Sequence, residues 1–196
     1  ESRSPTAVPN NGTVDLQLIP GSMELSKFWQ IMNAPASVHE YEVEAQEQAL
    51  AGELRKLSDE ELIAFKLTYD QVMDEAYTWD LWAAAYFVCG GCSDDGFTYF
   101  RNWLIGRGEH AFFNAMQDPD SLAIFDMDGE FDIATSCEWD VLPSIIWDER
   151  HADGPDFYDQ LPDRTYKTDP SGAEFDEDDF EAMKARFPKL AQVIDE

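Results

Sequence analysis

The sequence predicts a single all-α domain, and three features of the chain support that fold class. Apolar residues recur at three- and four-residue steps along most of the chain, a spacing that places them on one face of an α-helix. Cap residues and glycines lie between these stretches, where helices begin and end. No strand-rich block and no internal repeat appears. A length of 196 residues suits one domain with a sizeable core.

The first 22 residues are predicted to lie outside this domain. They are rich in Pro, Asn, Ser and Thr, and they end in Gly21-Ser22 directly before Met23. A Gly-Ser pair before a Met is typical of a vector-derived linker, so we expect Met23 to be the natural start and residues 23–196 to form the domain. The alternative is a native arm, because Val14–Leu18 alternates like a short strand.

Helical signals follow one another from Met23 onward. Ser26 can cap a short helix, which we expect to stop before Pro35 because the residue preceding a proline is pushed out of the α region. A second helix is predicted over Val38–Lys56. Ser58 and Glu61 have capping-box spacing and predict a third helix start. Its apolar face would carry Leu62, Phe65, Tyr69, Val72, Met73 and Ala76.

The middle of the chain predicts a buried helix followed by an amphipathic one. Trp79–Cys89 is apolar nearly all round, and Gly90-Gly91 supplies the left-handed residue that helix ends commonly need. Ser93 then restarts the helix, with Asp94 and Asp95 beside the positive end of its dipole. One face of this helix carries Phe97, Phe100, Trp103 and Leu104.

Helical signals weaken toward the C-terminus. A short helix is predicted over Glu109–Met116, and Asp118 can cap a further one that opens with Pro119. Residues 126–132 form a polar turn. Ser136–Arg150 is predicted as helix despite Pro143, Asp153–Ala173 as a long loop, and Asp176–Phe187 as a last amphipathic helix.

The central string of residues resembles a known family. Its parts are Trp79-Asp80-Leu81-Trp82-Ala83-Ala84-Ala85-Tyr86, Gly90-Gly91-Cys92-Ser93-Asp94-Asp95-Gly96-Phe97, Tyr99-Phe100-Arg101 and Trp103-Leu104-Ile105. Phe28-Trp29 and Asp118-Pro119-Asp120-Ser121-Leu122 fit the same pattern. Together these residues resemble the bacterial domain-of-unknown-function family 4240 (DUF4240), over residues 23–138.

The resemblance implies a helical fold, and it assigns no catalytic residue. Members of the family are sometimes found beside DNA-associated or toxin-related modules, an association that leaves function open. Residues 139–196 are similar to the family only in general character. We therefore divide the domain into a family-like core, residues 23–138, and an acidic, loop-rich extension, residues 139–196.

The cysteines and histidines predict no metal or cofactor. Cys89 and Cys92 have C-x-x-C spacing, but Cys89 ends a helix, whereas a redox motif of this type begins one. A zinc site needs four ligands, and only Cys137 remains, so a glycine turn with packed thiols is the favoured interpretation. His39, His110 and His151 are scattered in polar surroundings and are expected at the surface. The acids of residues 126–132 begin like a calcium loop, but the required glycine and glutamate positions hold Phe131 and Cys137.

Charge is the most unusual global property of the chain. The net charge is −28, from 41 acidic and 13 basic residues. Residues 23–117 carry 16 acids and 6 bases, a net −10, and residues 118–196 carry 23 acids and 6 bases, a net −17. Such a charge repels nucleic acid and anionic membranes and attracts basic partners. It also has a simple alternative meaning, which is solubility. We find neither a membrane-spanning stretch nor a secretory signal, and expect a cytoplasmic protein.

Two classes of function follow from these features. The leading hypothesis is a non-enzymatic interaction module of inhibitor, immunity or DNA-mimic type, whose acidic face and aromatic centre meet a basic protein. The alternative is an uncharacterised enzyme or small-ligand-binding protein with a site within Trp79–Trp103. A deep, partly apolar pocket would favour the second class and a flat acidic surface the first. The candidate site residues for either class are Trp79, Asp80, Trp82, Asp94, Asp95 and Arg101.

Overall fold

A computed structural model describes residues 16, 18–38, 43–125 and 137–194, and it confirms the all-α fold class. No strand occurs in this part of the chain, where the only β-type pairing is an isolated bridge between Thr78 and Ser171. The helices are α1 (Leu25–Ala36), α2 (Val43–Leu54), α3 (Asp59–Glu75), α4 (Trp79–Cys89), α5 (Asp94–Gly106), α6 (Glu109–Gln117), α7 (Leu142–Arg150), α8 (Phe180–Arg186) and α9 (Pro188–Ile194). Short 3-10 turns cover Pro119–Ile124, Trp139–Val141 and Tyr158–Gln160. None of the helices formed by the described residues is long and apolar enough to cross a bilayer.

The helix starts predicted at Ser58 and Ser93, and the helix end predicted at Gly90, are confirmed. Ser58 Oγ accepts the Glu61 amide at 3.2 Å, and the Glu61 carboxylate accepts the Ser58 amide at 2.9 Å, which completes the capping box. Ser93 Oγ caps α5 by accepting the Gly96 amide at 3.2 Å. Gly90, with φ of 61°, ends α4 in the left-handed conformation.

The predicted bounds of α1 are wrong at both ends. The helix begins at Leu25, and Glu24 rather than Ser26 holds the cap position, without a side-chain hydrogen bond. It continues through Pro35 to Ala36, and Ser37 donates to the carbonyls of its last turn. Ser37 donates its amide to Asn33 O at 3.1 Å and its hydroxyl to Ala34 O at 2.8 Å.

The C-terminal elements also differ from the prediction. The helix expected over Ser136–Arg150 divides into a 3-10 turn and α7, and Pro143 lies in the first turn of α7, where no amide donor is needed. The last predicted helix begins only at Phe180, because Asp179 caps it through the Ala182 amide at 2.9 Å. A further helix, α9, was not predicted.

Residues 39–42 and 126–136 lie outside the described residues. The second helix is therefore described only from Val43, and it ends at Leu54 rather than at Lys56. The polar turn and incomplete calcium loop predicted at 126–132 fall in the second of these gaps.

The core is a layer of aromatic side chains around α5. This helix contacts α1, α3, α4 and α6, and Phe97, Phe100 and Trp103 on its buried face are at most 1% exposed. Trp139 packs directly on Gly106 at the end of α5, where a Cβ atom would overlap the indole ring. Because residue 106 has no side chain, the 3-10 turn that carries Trp139 can pack directly against the end of α5.

Residues before Met23 and residues after α7 both contact the helical domain. Ser22 Oγ and the Ile19 amide donate to Gln71 Oε1 of α3 at 2.7 and 3.3 Å, and Leu16 packs against the core. The assignment of residues 1–22 to a vector-derived linker stays a prediction. On the C-terminal side, Ser171 pairs with the α3–α4 turn, accepting the Trp79 amide at 2.9 Å and donating to Tyr77 O at 3.0 Å.

Candidate functional site

A polar cleft lies where the C-terminal end of α3, the start of α5 and the extended segment after residue 163 meet. Its volume is about 270 Å³. Charged groups dominate its lining: the carboxylates are Asp70, Asp74, Asp94 and Asp140, and the cations are Arg101, Arg164 and Lys167. Tyr77, Thr98, Tyr166 and Thr168 supply further polar groups. We refer to this feature as the charged cleft.

Arg101 is the most completely enclosed of the predicted site residues, with 8% of its surface exposed. Its guanidinium donates to Met73 O at 3.0 Å, Phe97 O at 3.3 Å and Thr98 Oγ1 at 3.0 Å. Arg101 Cζ lies 4.5 Å from the centre of the Tyr77 ring. Burial lowers the pKa of Arg101, with Tyr77 and nearby carboxylates opposing that shift. Within the described residues no carboxylate lies within 4 Å of this guanidinium, so it is held without an ion pair.

Asp94 is the exposed acid at the edge of the charged cleft. It is the first residue of α5, and the Tyr77 hydroxyl donates to Asp94 Oδ1 at 3.4 Å. Burial, followed by the charge of Asp94, raises the pKa of Tyr77. Capping of α5 falls to Ser93, so the Asp94 carboxylate is not used for that purpose.

A buried polar network forms the inner wall of the cleft. Lys66 donates to Asp70 at 2.8 Å, and the two side chains are only 7% and 10% exposed. Asp140 lies 3.9 Å from Lys66 and accepts Asn102 Nδ2 at 3.2 Å. The Tyr69 hydroxyl completes the chain by donating to Asn102 Oδ1 at 2.7 Å. Desolvation raises the pKa of Asp70, although Lys66 partly opposes that shift.

The segment after residue 163 supplies the outer cations. Arg164 donates to Asp74 Oδ2 at 2.8 Å and lies 4.0 Å from the centre of the Tyr166 ring. Its side chain is 7% exposed, and its Nε is buried without a hydrogen-bond partner. Lys167 Nζ donates to the carbonyl oxygens of Asp74 and Tyr77 at 3.2 and 2.7 Å.

Sequence reasoning missed most of this network. Lys66 and Asp70 lie one helical turn apart on α3, between the buried apolar residues Phe65 and Met73, and the spacing of this oppositely charged pair was a usable signal. Asn102 and Asp140 gave no such signal, because they meet only through tertiary packing.

The predicted site residues do not form one site. Asp94 and Arg101 line the charged cleft. Trp79 and Trp82 lie in an aromatic stack beside it, in which Trp82 is 5.2 Å from Trp79 and 5.0 Å from Phe97, with planes 10° apart in both pairs. The Trp82 indole donates to Cys92 O at 2.9 Å, so the stack has a packing role.

Asp80 and Asp95 lie outside the cleft lining. Asp80 forms an ion pair with Arg186 of α8. Asp95 is exposed next to Asp94, and its charge contributes to the raised pKa of Tyr99, for which Glu138 is the main cause. The two adjacent acids therefore have different surroundings, because Asp94 lines the cleft and Asp95 does not.

No disulfide joins the cysteines of the described residues, and Cys89 and Cys92 interact at the glycine turn. A hydrogen bond between them raises the pKa of Cys89 and lowers that of Cys92. In the described part of the chain, no three His, Cys, Asp or Glu side chains are arranged to hold a metal.

The surface placement expected for the histidines holds for His110, which is exposed. It holds only in part for His151, whose side chain is 32% exposed. Its ring centre is 4.4 Å from that of Trp147, and its Nε2 is 2.9 Å from Asp59 Oδ2. His39 lies outside the described residues.

Comparison with known proteins assigns the chain to a family. Curated proteins and solved structures give no significant match. A family model described as "Protein of unknown function (DUF4240)" matches residues 23–148. The match spans α1 to α6 and most of α7, and it includes the cleft residues contributed by α3, α5 and the 3-10 turn at Trp139. The chain therefore belongs to the DUF4240 family, whose function is unknown.

Proposed function

We propose that this protein is a non-enzymatic interaction module that binds a basic protein partner. The binding surface is an acidic patch along α5 and the 3-10 turn at Trp139. Its acids lie around the exposed edges of two tyrosines, Tyr77 and Tyr99. We define the acidic patch as Asp94, Asp95, Glu138, Asp140 and Asp169, together with those tyrosines.

Uncompensated negative charge is the observation that carries this proposal. At least eight of the twelve described Lys and Arg residues form ion pairs within the protein. In the described part of the chain, the ion-pair partners of these eight cations do not include Asp94, Asp95 or Glu138. A partner that supplies Lys or Arg side chains would provide the missing counter-charges, and the field would accelerate its approach at low salt.

The tyrosines add a second property of protein interfaces. The Tyr99 hydroxyl donates to Glu138 Oε1 at 3.3 Å, so an aromatic ring and a carboxylate are presented together. Tyrosine is enriched in interface centres because it combines a large apolar ring with a polar tip. The aromatic rings also offer faces for Arg or Lys of the partner.

A matched pair of variants tests this proposal after partners are captured from the native host at low salt and purified. The patch variant is Asp95→Asn with Glu138→Gln. The control variant is Asp148→Asn with Asp153→Asn, which removes the same charge from exposed positions elsewhere. Exposed charge pairs contribute up to about 1 kcal/mol each, so we expect the patch variant to bind about tenfold more weakly.

The control variant should keep the wild-type affinity, and higher salt should weaken binding of the wild type. Equal loss of affinity in both variants would show that net charge alone attracts the partner. Failure to capture any basic protein at low salt would also contradict the proposal.

A further inference from the structure

Two carboxylates of the charged cleft are neutralised from within the protein. Asp74 is paired with Arg164 at 2.8 Å, and Asp70 is paired with Lys66 at 2.8 Å. In each pair, at least one partner is a side chain no more than 7% exposed. Each pair forms part of the cleft wall and has no net charge, but Arg164 keeps one N–H group that no atom of the described residues accepts.

The remaining charges of the cleft balance each other without forming close ion pairs. They are Asp94 and Asp140 on the negative side and Arg101 and Lys167 on the positive side. Among the ion pairs of the described residues, Asp140 has only the longer, 3.9 Å contact with Lys66. A charge-balanced cleft is unexpected on a chain with a net charge of −28.

Tyr77 and the backbone hold Asp94 apart from Arg101. The two residues are seven positions apart on α5, so they share a face two turns apart. Arg101 is retained by Met73 O and Thr98 Oγ1, and it lies over the Tyr77 ring. The Tyr77 hydroxyl meets Asp94 at 3.4 Å. Because these two opposite charges are held apart, one ligand that carries both a positive and a negative group can pair with both of them.

Unused hydrogen-bond donors lie on the positive side. Arg164 Nε is buried and has no hydrogen-bond partner in the described part of the chain, and 7% of the side chain is exposed. Arg101 uses three of its five N–H groups on protein oxygens. Buried donors of this kind are normally satisfied, and a carboxylate is the group that an arginine binds best.

We propose that the charged cleft binds a small zwitterion, such as an amino acid or an ω-amino acid. The ligand's carboxylate lies toward Arg101 and Arg164, and its ammonium group lies toward Asp94 and Asp140. A simple anion is repelled by the overall charge of the protein, and a simple cation is repelled locally by Arg101 and Lys167. The volume of about 270 Å³ suits a molecule of this size. This inference does not depend on the basic-partner proposal.

Titration of the full-length protein with a series of defined probes tests this inference. The zwitterions are glycine, 4-aminobutyrate and 6-aminohexanoate, and the single-charge analogues are butyrate and butylamine. Binding is measured by ligand-detected NMR up to 10 mM. Since a zwitterion can pair with both charges of the cleft and each analogue with only one, we expect at least one zwitterion to bind about tenfold or more tightly than both analogues. Binding of butylamine with equal affinity, or binding of no zwitterion, overturns the proposal.

Two adjacent acids provide a matched control. Asp94→Asn removes a cleft carboxylate, whereas Asp95→Asn removes the same charge from the next residue, which does not line the cleft. We expect Asp94→Asn to weaken zwitterion binding about tenfold and Asp95→Asn to leave it unchanged. Equal effects of the two substitutions overturn the proposal. The Asp95→Asn protein also separates the two functions, because its charge belongs to the acidic patch and not to the cleft.

Discussion

Gly106 illustrates how one residue determines the packing of a distant segment. Trp139 is 2% exposed and lies where the side chain of residue 106 would be. This contact could not be predicted from the sequence, because a glycine near a helix end is locally typical of a helix stop. The contacts of Arg101 could not be predicted for the same reason, because its hydrogen-bond acceptor, Met73 O, lies 28 residues away in the chain.

Gly106→Ala should destabilise the protein by about 1–3 kcal/mol, because the added methyl group must displace a packed indole ring. Thermal or urea unfolding measures this loss. Gly52→Ala is the control, since it lies in α2 with nothing within 4 Å of an added Cβ. That substitution should stabilise by about 0.5–1 kcal/mol through helix propensity. A Gly106→Ala protein as stable as the wild type would contradict the observed packing of Trp139.

Asp70 should give the protein an unusual pH dependence. Burial raises its pKa in the folded state, so the folded protein holds this proton more tightly than the unfolded chain does. Between the unfolded pKa of about 3.9 and the raised folded value, its contribution to stability therefore falls as pH rises. We expect the unfolding free energy of the wild type, relative to Asp70→Asn, to increase as pH is lowered from about 7 to about 4. Urea unfolding at several pH values measures it, and a difference that decreases on acidification would contradict the raised pKa.

Elements with a complete local signal were predicted from the sequence. The capping box at Ser58, the glycine end at Gly90 and the cap at Ser93 depend only on residues within one helical turn. The charged cleft could not be predicted in the same way. Its arginines come from α5 and from a segment more than 60 residues later, and only the fold brings them together.

Helix α9 was missed because its start signal is not local. Its first amides are capped by Asp120, which lies 69 residues earlier and accepts Lys189 N at 3.0 Å and Leu190 N at 2.9 Å. The Asp120 side chain is 7% exposed, so it fastens α9 to the 3-10 turn at Pro119–Ile124. Residues C-terminal to the family match thereby become part of the core.

Asp120→Ala should destabilise the protein by about 1–2 kcal/mol, the usual effect of losing a helix cap, and should loosen α9 first. Hydrogen exchange of the Lys189 and Leu190 amides reports the local effect, and thermal unfolding reports the global one. Asp118→Ala would not be a clean comparison, because Asp118 caps the neighbouring turn. Asp153→Ala, on an exposed loop, is the control. Unchanged protection of the two amides would show that Asp120 does not hold the helix.

The net negative charge of the whole molecule affects its stability as well as its binding. Most of the described cations already form ion pairs, and many more carboxylates than cations are present. These excess carboxylates repel one another more in the compact folded state than in the unfolded chain. Moderate salt should therefore raise the melting temperature by screening this repulsion. Scanning calorimetry from about 10 to 150 mM NaCl measures the trend. A melting temperature that falls steadily over this range would contradict a surface dominated by like charges.

A hydrogen–deuterium exchange footprint of the complex with a purified basic partner locates the binding surface directly. If the acidic patch is the binding surface, amide protection should increase in the first turns of α5 and in residues 137–140. Little change is expected in α7, which carries the control acid Asp148. A footprint centred on α7 or spread evenly over the acidic surface would contradict the assignment of the patch as the site of recognition.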